Sequence, residues 1–136
     1  MAVNYKLRKN NIKGNKHYGK YYAQTVHSNR MTLSDIMREI EANCSLKESD
    51  VIAVMTELKA IMRYALQDGQ IVDLDDLGSF YINVKSIPVD KPEDFKGNKH
   101  LLGFELKYRP AAKRTARKDH HLTHTLTIGC QAKREK

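Results

Sequence analysis

The stretch that decides the fold covers residues 68–84 and reads DGQIVDLDDLGSFYINV. It follows a long helical pattern, and after its DG the period of the apolar residues becomes that of strands, in QIVDL and GSFYINVKS. Phe80, Ile82 and Val84 share one face of the predicted strand, because side chains alternate along it. Gly78 interrupts this pattern. It indicates either a turn or bulge that needs permissive backbone angles, or a place where another backbone approaches closely.

Two helices are predicted before this stretch, and a further strand after it in GFELKYRP. The first helix covers about 33–43, where Thr32 can cap the N-terminus and Asp35 follows three residues later. The second covers about 46–67, and Ser45 and Glu48 have the spacing of a capping box. Its apolar stripe is more typical of a core or a dimer seam than of a ligand site. The stripe consists of Val51, Met55, Leu58, Ile61, Met62, Ala65 and Leu66.

Composition limits the class of protein. A chain of 136 residues and 15.7 kDa fits one compact domain with some length left for flexible ends. No apolar run approaches the roughly 20 residues of a membrane span, and the N-terminus lacks a secretory signal, so we expect a soluble intracellular protein. Cys44 and Cys130 lie far apart without a CxxC partner, which indicates reduced thiols.

The net charge of +8 is distributed unevenly along the chain. Residues 1–30 carry 7 Lys/Arg and no acid, residues 31–80 carry 4 against 10, and residues 81–136 carry 13 against 6. Basic segments therefore flank an acidic, helix-rich body. This distribution indicates contact with a polyanion such as DNA or RNA, and the alternative is a solvated surface.

The stretch 68–84 resembles the G-x-x-V-x-L-x-x-x-G-x-F segment of the bacterial histone-like HU and integration host factor family. The matching residues are Gly69, Val72, Leu74, Gly78 and Phe80. The order of two helices, a strand pair, an arm-like interruption and a strand ending in YRP is also similar, over about residues 31–112. The similarity is greatest to a divergent HU-like branch with an extra N-terminal segment, here containing Tyr21-Tyr22-Ala23-Gln24.

The resemblance implies an α+β fold in which two N-terminal helices precede an antiparallel sheet with a protruding β-arm, assembled as an intertwined dimer. Together with the charge distribution and the lack of a core pattern in the last residues, it predicts three regions. Residues 1–30 form a basic extension that could add a strand, residues 31–118 form the HU-like DNA-binding domain, and residues 119–136 form a flexible tail. The implied structural and dimer core contains Leu58, Met62, Gly78, Phe80 and Phe104.

The arm is where this sequence departs from its relatives. Typical HU proteins carry an Arg-Asn-Pro tip whose proline wedges between base pairs, and KSIPVDKPEDFKGNKHLLG contains no such tripeptide. Pro88 and Pro92 could still present a wedge to the minor groove, but punctuating a loop is the favoured interpretation. Basic side chains that neutralise phosphates need less exact placement than a proline wedge does. The predicted DNA-binding residues are Lys85, Lys91, Lys96, Lys99, Lys107, Arg109, Lys113, Arg114, Arg117 and Lys118.

Catalytic and metal chemistry find little support in the sequence. There is no Gly-rich phosphate loop and no zincin motif, so no enzyme, small-molecule substrate or cofactor is predicted. His120 and His124 are four residues apart and could share a helix face, but the tail lacks other ligands at defined spacing. No metal site is therefore predicted.

The sequence thus predicts an architectural protein that binds double-stranded DNA with little sequence preference and bends or compacts it. We expect a homodimer in the cytoplasm, at the nucleoid, without contact with a membrane. Two alternatives stay open: an HU-fold protein-interaction module, and an RNA-binding protein that does not bend DNA.

Overall fold

The computed structural model describes residues 2–114 and 122–135, excluding the side chains of residues 113, 114, 122 and 123. The elements, in chain order, are β1 (Val3–Lys9), β2 (Tyr21–Thr25), α1 (Leu33–Asn43), α2 (Glu48–Gln67), β3 (Val72–Asp73), β4 (Ser79–Ser86), α3 (Gly97–His100), β5 (Leu101–Arg109), β6 (Ala112–Arg114), β7 (Leu122–His124) and β8 (Ala132–Arg134). Single 3-10 turns lie at Asp75–Leu77, Pro92–Asp94 and Thr125–Thr127. The chain divides into two compact units. One comprises Met1–Ser45 with Gly129–Lys136, and the other comprises Leu46–Ile128.

The first unit contains a three-stranded sheet in the order β2-β1-β8. Strand β1 pairs with β2 in antiparallel register, from Tyr5 opposite Thr25 to Lys9 opposite Tyr21. Strand β8 pairs with β1 in parallel register, so residues near the two ends of the sequence share one sheet. The same unit contains α1.

The predicted element order is therefore wrong, because two strands precede the helices. The predicted single antiparallel sheet is also wrong, since β1 and β8 are parallel and belong to a separate sheet. The sequence of β1, VNYKLRK, explains the error. Val3, Tyr5 and Leu7 alternate with polar residues, as in a strand, but the pattern covers only seven residues, and one of its two partner strands lies at the far end of the sequence. The predicted domain boundaries and the flexible tail remain predictions.

The capping of the two helices gives one confirmed and one wrong prediction. At α1, the Thr32 hydroxyl accepts from the Asp35 amide at 3.3 Å, and the Asp35 carboxylate accepts from the Thr32 amide at 2.9 Å. The hydrogen bond from the Thr32 side chain holds the pKa of Asp35 below its ordinary value. At α2 the Ser45 and Glu48 box is absent. There the Lys47 amide donates to the Asp50 carboxylate at 3.1 Å, one helical turn later in the chain.

The second unit contains a three-stranded antiparallel sheet in the order β3-β4-β5 and a separate pair, β6-β7. The predicted strands in QIVDL, GSFYINVKS and GFELKYRP are confirmed as β3, β4 and β5. The long pairing of β4 with β5, called the ribbon below, ends where Ser86 lies opposite Leu101. Strand pairing does not continue into the segment 87–100, where the sequence predicted the outer part of an arm. The segment 87–100 between these strands contains one 3-10 turn and the short helix α3.

Gly78 combines both of the meanings that the sequence left open. Its φ of 104° and ψ of −171° lie in a region that is essentially reserved for glycine. A Cβ atom at this position would lie 2.5 Å from the carbonyl oxygen of Arg109 on β5. Beside it, the Tyr108 hydroxyl donates to the carbonyl oxygen of Leu77 at 2.7 Å. Gly78 therefore lets the turn before β4 pass directly against the end of β5.

Little apolar surface is buried within a single chain. Among the described residues, the buried hydrophobic side chains are Met37 in the first unit and Val51 in the second. Many large apolar side chains remain exposed, most of all Phe104 on β5 at 79%. In the part of the chain that is described, no helix is both long and apolar enough to cross a membrane.

Candidate nucleic-acid interface

The register of the ribbon separates its side chains into two faces. Tyr81 lies opposite Lys107, Asn83 opposite Glu105, and Ser79 opposite Arg109. Because side chains alternate along each strand, these residues and Lys85 share one face, which we call the polar face. The intervening residues form the apolar face, which consists of Phe80, Ile82, Val84, Phe104, Leu106 and Tyr108.

The polar face carries three of the predicted DNA-binding residues, two of which lie beside one carboxylate. Lys107 Nζ lies 3.1 Å from Glu105 Oε1, and Lys85 Nζ lies 3.9 Å from the same oxygen. The hydrogen bond from Lys107 is the main cause that lowers the pKa of Glu105, which therefore stays ionised at neutral pH. Arg109 lies over the ring of Tyr81, with 5.1 Å between its guanidinium carbon and the ring centroid. The face is thus basic, but Glu105 offsets part of its charge.

The segment 87–100, called the tip segment below, carries three further predicted residues, Lys91, Lys96 and Lys99. All three are exposed. The segment is held in a compact form, since the Lys96 amide donates to Nδ1 of His100 at 2.8 Å and the Ile87 amide donates to the His100 carbonyl oxygen at 2.8 Å. It therefore presents its lysines from a defined turn.

The two prolines of the tip segment are both exposed. Pro92 stands at the first position of the 3-10 turn Pro92–Asp94, where its fixed φ suits the start of a helical turn. The peptide bonds before both prolines are trans. This geometry supports the interpretation that Pro92 shapes the loop.

The apolar face of the ribbon carries large side chains that are exposed. Val84 is 57% exposed, and its cross-strand partner Phe104 is 79% exposed. At the other end of the face, Phe80 is half-buried and its ring lies 5.2 Å from that of Tyr108. Cross-strand apolar pairs of this kind stabilise a sheet when a second layer covers them.

The residues predicted for the core differ in burial, and Phe104 is the most exposed of them. Leu58 and Met62 of α2 are half-buried and line an apolar groove of about 320 Å³, together with Met55 and Leu66. Gly78 is buried. The helix and the ribbon of this unit thus both carry apolar surface that the described residues leave uncovered.

The remaining predicted site residues lie at the end of the described residues or outside them. Lys113 and Arg114 belong to β6, with their side chains outside the described set, and Arg117 and Lys118 lie outside the described residues. His120 also lies outside them, and His124 ends β7. Within residues 2–114 and 122–135, no group of three or more His, Cys, Asp or Glu side chains is arranged to hold a metal ion.

A second basic surface lies on the first unit, where sequence reasoning had named only a basic extension. The loop between β1 and β2 and the strand ends beside it carry Lys9, His17, Lys20, Tyr21 and Tyr22 around a concave site. Basic and aromatic residues alternate in KHYGKYY, and this alternation is the signal that could have identified the surface.

Comparison with known proteins places this geometry in a family. The family model described as "HU domain fused to wHTH, Ig, or Glycine-rich motif" matches residues 1–123, and the chain belongs to this family. The structure is similar to the crystal structure of a candidate bacterial DNA-binding protein from Bacteroides vulgatus ATCC 8482, with a TM-score of 0.56 and 10% sequence identity. The match covers 99% of this chain and spans half the length of the other. No curated protein sequence matches the chain.

Proposed function

We propose that this protein is an architectural DNA-binding protein that acts as a homodimer on double-stranded DNA, with little sequence preference. Membership of an HU-domain family supports DNA as the ligand, and the description of the Bacteroides protein agrees with it. The observation that carries the proposal is the two-faced ribbon. One face is basic and the other is apolar and exposed, so the ribbon can contact a polyanion and a protein partner at the same time.

The positive charges on and beside the ribbon suit phosphate contact rather than base reading. Lys85, Lys107 and Arg109 lie on one face of the ribbon, and the tip segment adds three exposed lysines, whose charge is offset by the acids Asp90, Glu93 and Asp94 of the same segment. Contacts of this type position a protein on DNA and carry no direct sequence information. We therefore propose binding that bends or compacts DNA at the nucleoid in the cytoplasm, and a binding rather than a catalytic role.

The apolar face supports the dimer. A face with Phe104 at 79% exposure is costly in water, since each square ångström of apolar surface that is buried contributes about 25 cal/mol. A symmetric pair covers the same patch on both chains, which is the commonest way for a soluble protein to bury such a surface. A second copy of this chain is thus the proposed cover.

A fluorescence-anisotropy titration tests the DNA-binding proposal. The full chain is titrated against labelled duplex DNA of one composition in several scrambled orders, duplex RNA, and heparin as a plain anionic polymer. Affinity for duplex DNA should fall steeply with salt, because binding releases counterions, and it should vary little among the scrambled duplexes.

Three outcomes would contradict this proposal. A strong preference for one DNA sequence at physiological salt would contradict nonspecific binding. Tighter binding to duplex RNA would favour the RNA-binding alternative. A lack of duplex binding even at low salt, with a dimer or other protein complex intact, would favour the protein-interaction module.

A further inference from the structure

The loop between β1 and β2, residues 10–20, encloses a concave site of about 480 Å³. This volume lies within the range of about 300–1,000 Å³ that is usual for ligand sites. The lining includes Lys9, Ile12, His17, Lys20, Tyr21 and Tyr22. All of these residues belong to the first unit, whereas the ribbon and the tip segment belong to the second.

Hydrogen bonds within the loop hold this site in shape. The Asn10 amide donates to the carbonyl oxygen of Lys20 at 2.8 Å, and the Gly19 amide donates to the carbonyl oxygen of Asn10 at 2.8 Å. The Asn10 side chain accepts from the Ile12 amide at 3.0 Å. The Tyr18 amide donates to the carbonyl oxygen of Asn15 at 2.9 Å, which closes a turn inside the loop. The concave surface is therefore built by the backbone before any ligand arrives.

Aromatic and positively charged side chains are paired at the mouth of the loop. In the register of the two strands, Lys9 lies opposite Tyr21, and Arg8 lies opposite Tyr22. Because neighbouring residues of a strand point to opposite faces, each face of the hairpin carries one tyrosine beside one cation. The two tyrosines are 67% and 50% exposed, so their rings are available to a partner.

No carboxylate of the hairpin offsets this charge. Residues 1–30 contain no Asp or Glu. The acid at the end of the sheet, Glu135, is paired with Lys6 at 3.0 Å, and Lys6 does not line the site. A ligand that enters the loop therefore meets a positive, partly aromatic surface, which selects for an anion with flat apolar groups.

We propose that this hairpin is a second nucleic-acid site, and that its ligand is a single strand with unpaired bases. One base would stack on Tyr21, beside Lys9, and another on Tyr22, beside Arg8 on the opposite face, as the strand passes around the end of the hairpin. These cations and Lys20 would neutralise the phosphates, which is how single strands are generally held. Base pairs inside a duplex are already stacked on one another and leave no ring face for a tyrosine. Duplex DNA would therefore contact only the positively charged side chains of the hairpin.

Binding to a 20-residue oligothymidine tests this proposal in the full chain, with a 20-base-pair duplex and an abasic oligonucleotide of equal length as comparison ligands. The test variant is Tyr21→Leu with Tyr22→Leu, which removes the rings but keeps apolar side chains in the strand. Tyr64→Leu is the matched control, because Tyr64 is 74% exposed on α2 of the other unit. Circular dichroism confirms that each variant is folded.

The double variant should bind oligothymidine at least about fivefold more weakly, as expected from the loss of one or more stacked bases. Its affinity for the duplex should change less than twofold, and Tyr64→Leu should behave as wild type. The abasic strand should bind wild type more weakly than oligothymidine does. Equal binding of the abasic strand, or an equal loss for both ligands in the double variant, would overturn the proposal.

Photocrosslinking of the unaltered chain provides a test that needs no variant to fold. An oligothymidine with 4-thiothymidine at one position is irradiated with the protein, and the crosslinked peptide is identified by mass spectrometry. The proposal places the crosslink within residues 5–25. A crosslink confined to the ribbon or the tip segment would overturn it, and it would do so whether or not the ribbon binds duplex DNA.

Discussion

Two antiparallel strand pairs, the N-terminal hairpin and the ribbon, both carry basic residues but arrange them differently. In the ribbon, six apolar side chains share one face, and Glu105 offsets the charges of Lys85 and Lys107 on the other. In the hairpin, a tyrosine and a cation occur together on each face. The ribbon therefore suits two partners, a second chain and a duplex, whereas the hairpin suits one extended strand. The hairpin and the ribbon are both antiparallel strand pairs, but they suit different ligands because their side chains are distributed differently over the two faces.

The ribbon depends on its glycine more than the hairpin does, and this difference should give the largest effect on stability. Gly78→Ala should lower the free energy of unfolding by about 1–3 kcal/mol, because alanine is strained at the φ and ψ of this position. The free energy of unfolding should fall by about 1–3 kcal/mol more, because the new Cβ crowds the carbonyl oxygen of Arg109. Gly19→Ala in the hairpin loop is the control, since its φ is 78° and nothing lies within 4 Å of the added Cβ. Denaturant unfolding of both variants provides the measurement. Equal losses would mean that the close approach to β5 contributes nothing.

A charge on the apolar face should break the pairing of two chains. Phe104→Lys should weaken dimerisation by about 2 kcal/mol or more, because an aromatic side chain at the centre of an interface often dominates its energy. Asn83→Lys is the matched control, since Asn83 is exposed on the polar face of the same ribbon. Sedimentation equilibrium across a concentration series measures the dissociation constants. If Phe104→Lys and Asn83→Lys dimerise equally well, the apolar face is not the interface.

Changes to the charges of the tip segment and of the polar face should alter duplex binding in opposite directions. Replacing Lys96 and Lys99 of the tip segment with Gln should weaken binding to all duplexes and flatten the salt slope by up to about one unit per lost phosphate contact. Glu105→Gln should act in the opposite direction and strengthen binding, because it releases Lys85 and Lys107 from their ion pairs. Anisotropy titrations at several salt concentrations measure both. A salt slope that stays unchanged in the double Lys variant would remove the tip segment from the interface.

The prolines of the tip segment should have the smallest effect. Replacing Pro88 and Pro92 with Ala should change duplex affinity little, because Pro92 starts a 3-10 turn that other residues can also form. A wedge predicts the reverse, namely a loss of DNA bending and of preference for nicked or distorted duplex, where unstacking costs less. Fluorescence energy transfer across an end-labelled duplex distinguishes the two. Bending that disappears with the prolines would show that the tip intercalates.

The second unit was largely predictable because its signals are local. The helical stripe of α2, the alternation in β4 and the glycine at position 78 each lie within a few residues of the element that they define. The Thr32 and Asp35 box was predictable for the same reason. At α2 the S-x-x-E spacing was misleading, since Asp50 lies three residues after Lys47 and competes for the same role.

The first unit was less predictable because its sheet depends on distant pairing. Strand β8 joins β1 across more than 120 positions of sequence, and no local pattern can indicate such a partner. Positive charge alone does not predict the hairpin site, because only the strand register sets Lys9 opposite Tyr21. The lysines of the polar face were predicted individually, but their shared contact with Glu105 follows only from the pairing of β4 with β5.

Sedimentation velocity of the full chain, alone and with a fluorescently labelled duplex of 20 base pairs, tests the central claim most directly. The account predicts that the free protein sediments as a dimer, at twice the 15.7 kDa of one chain, at micromolar concentration. It also predicts that the bound duplex carries two chains, in a complex that dissociates as salt rises. A compact monomer that leaves the sedimentation of the duplex unchanged at low salt would contradict the account.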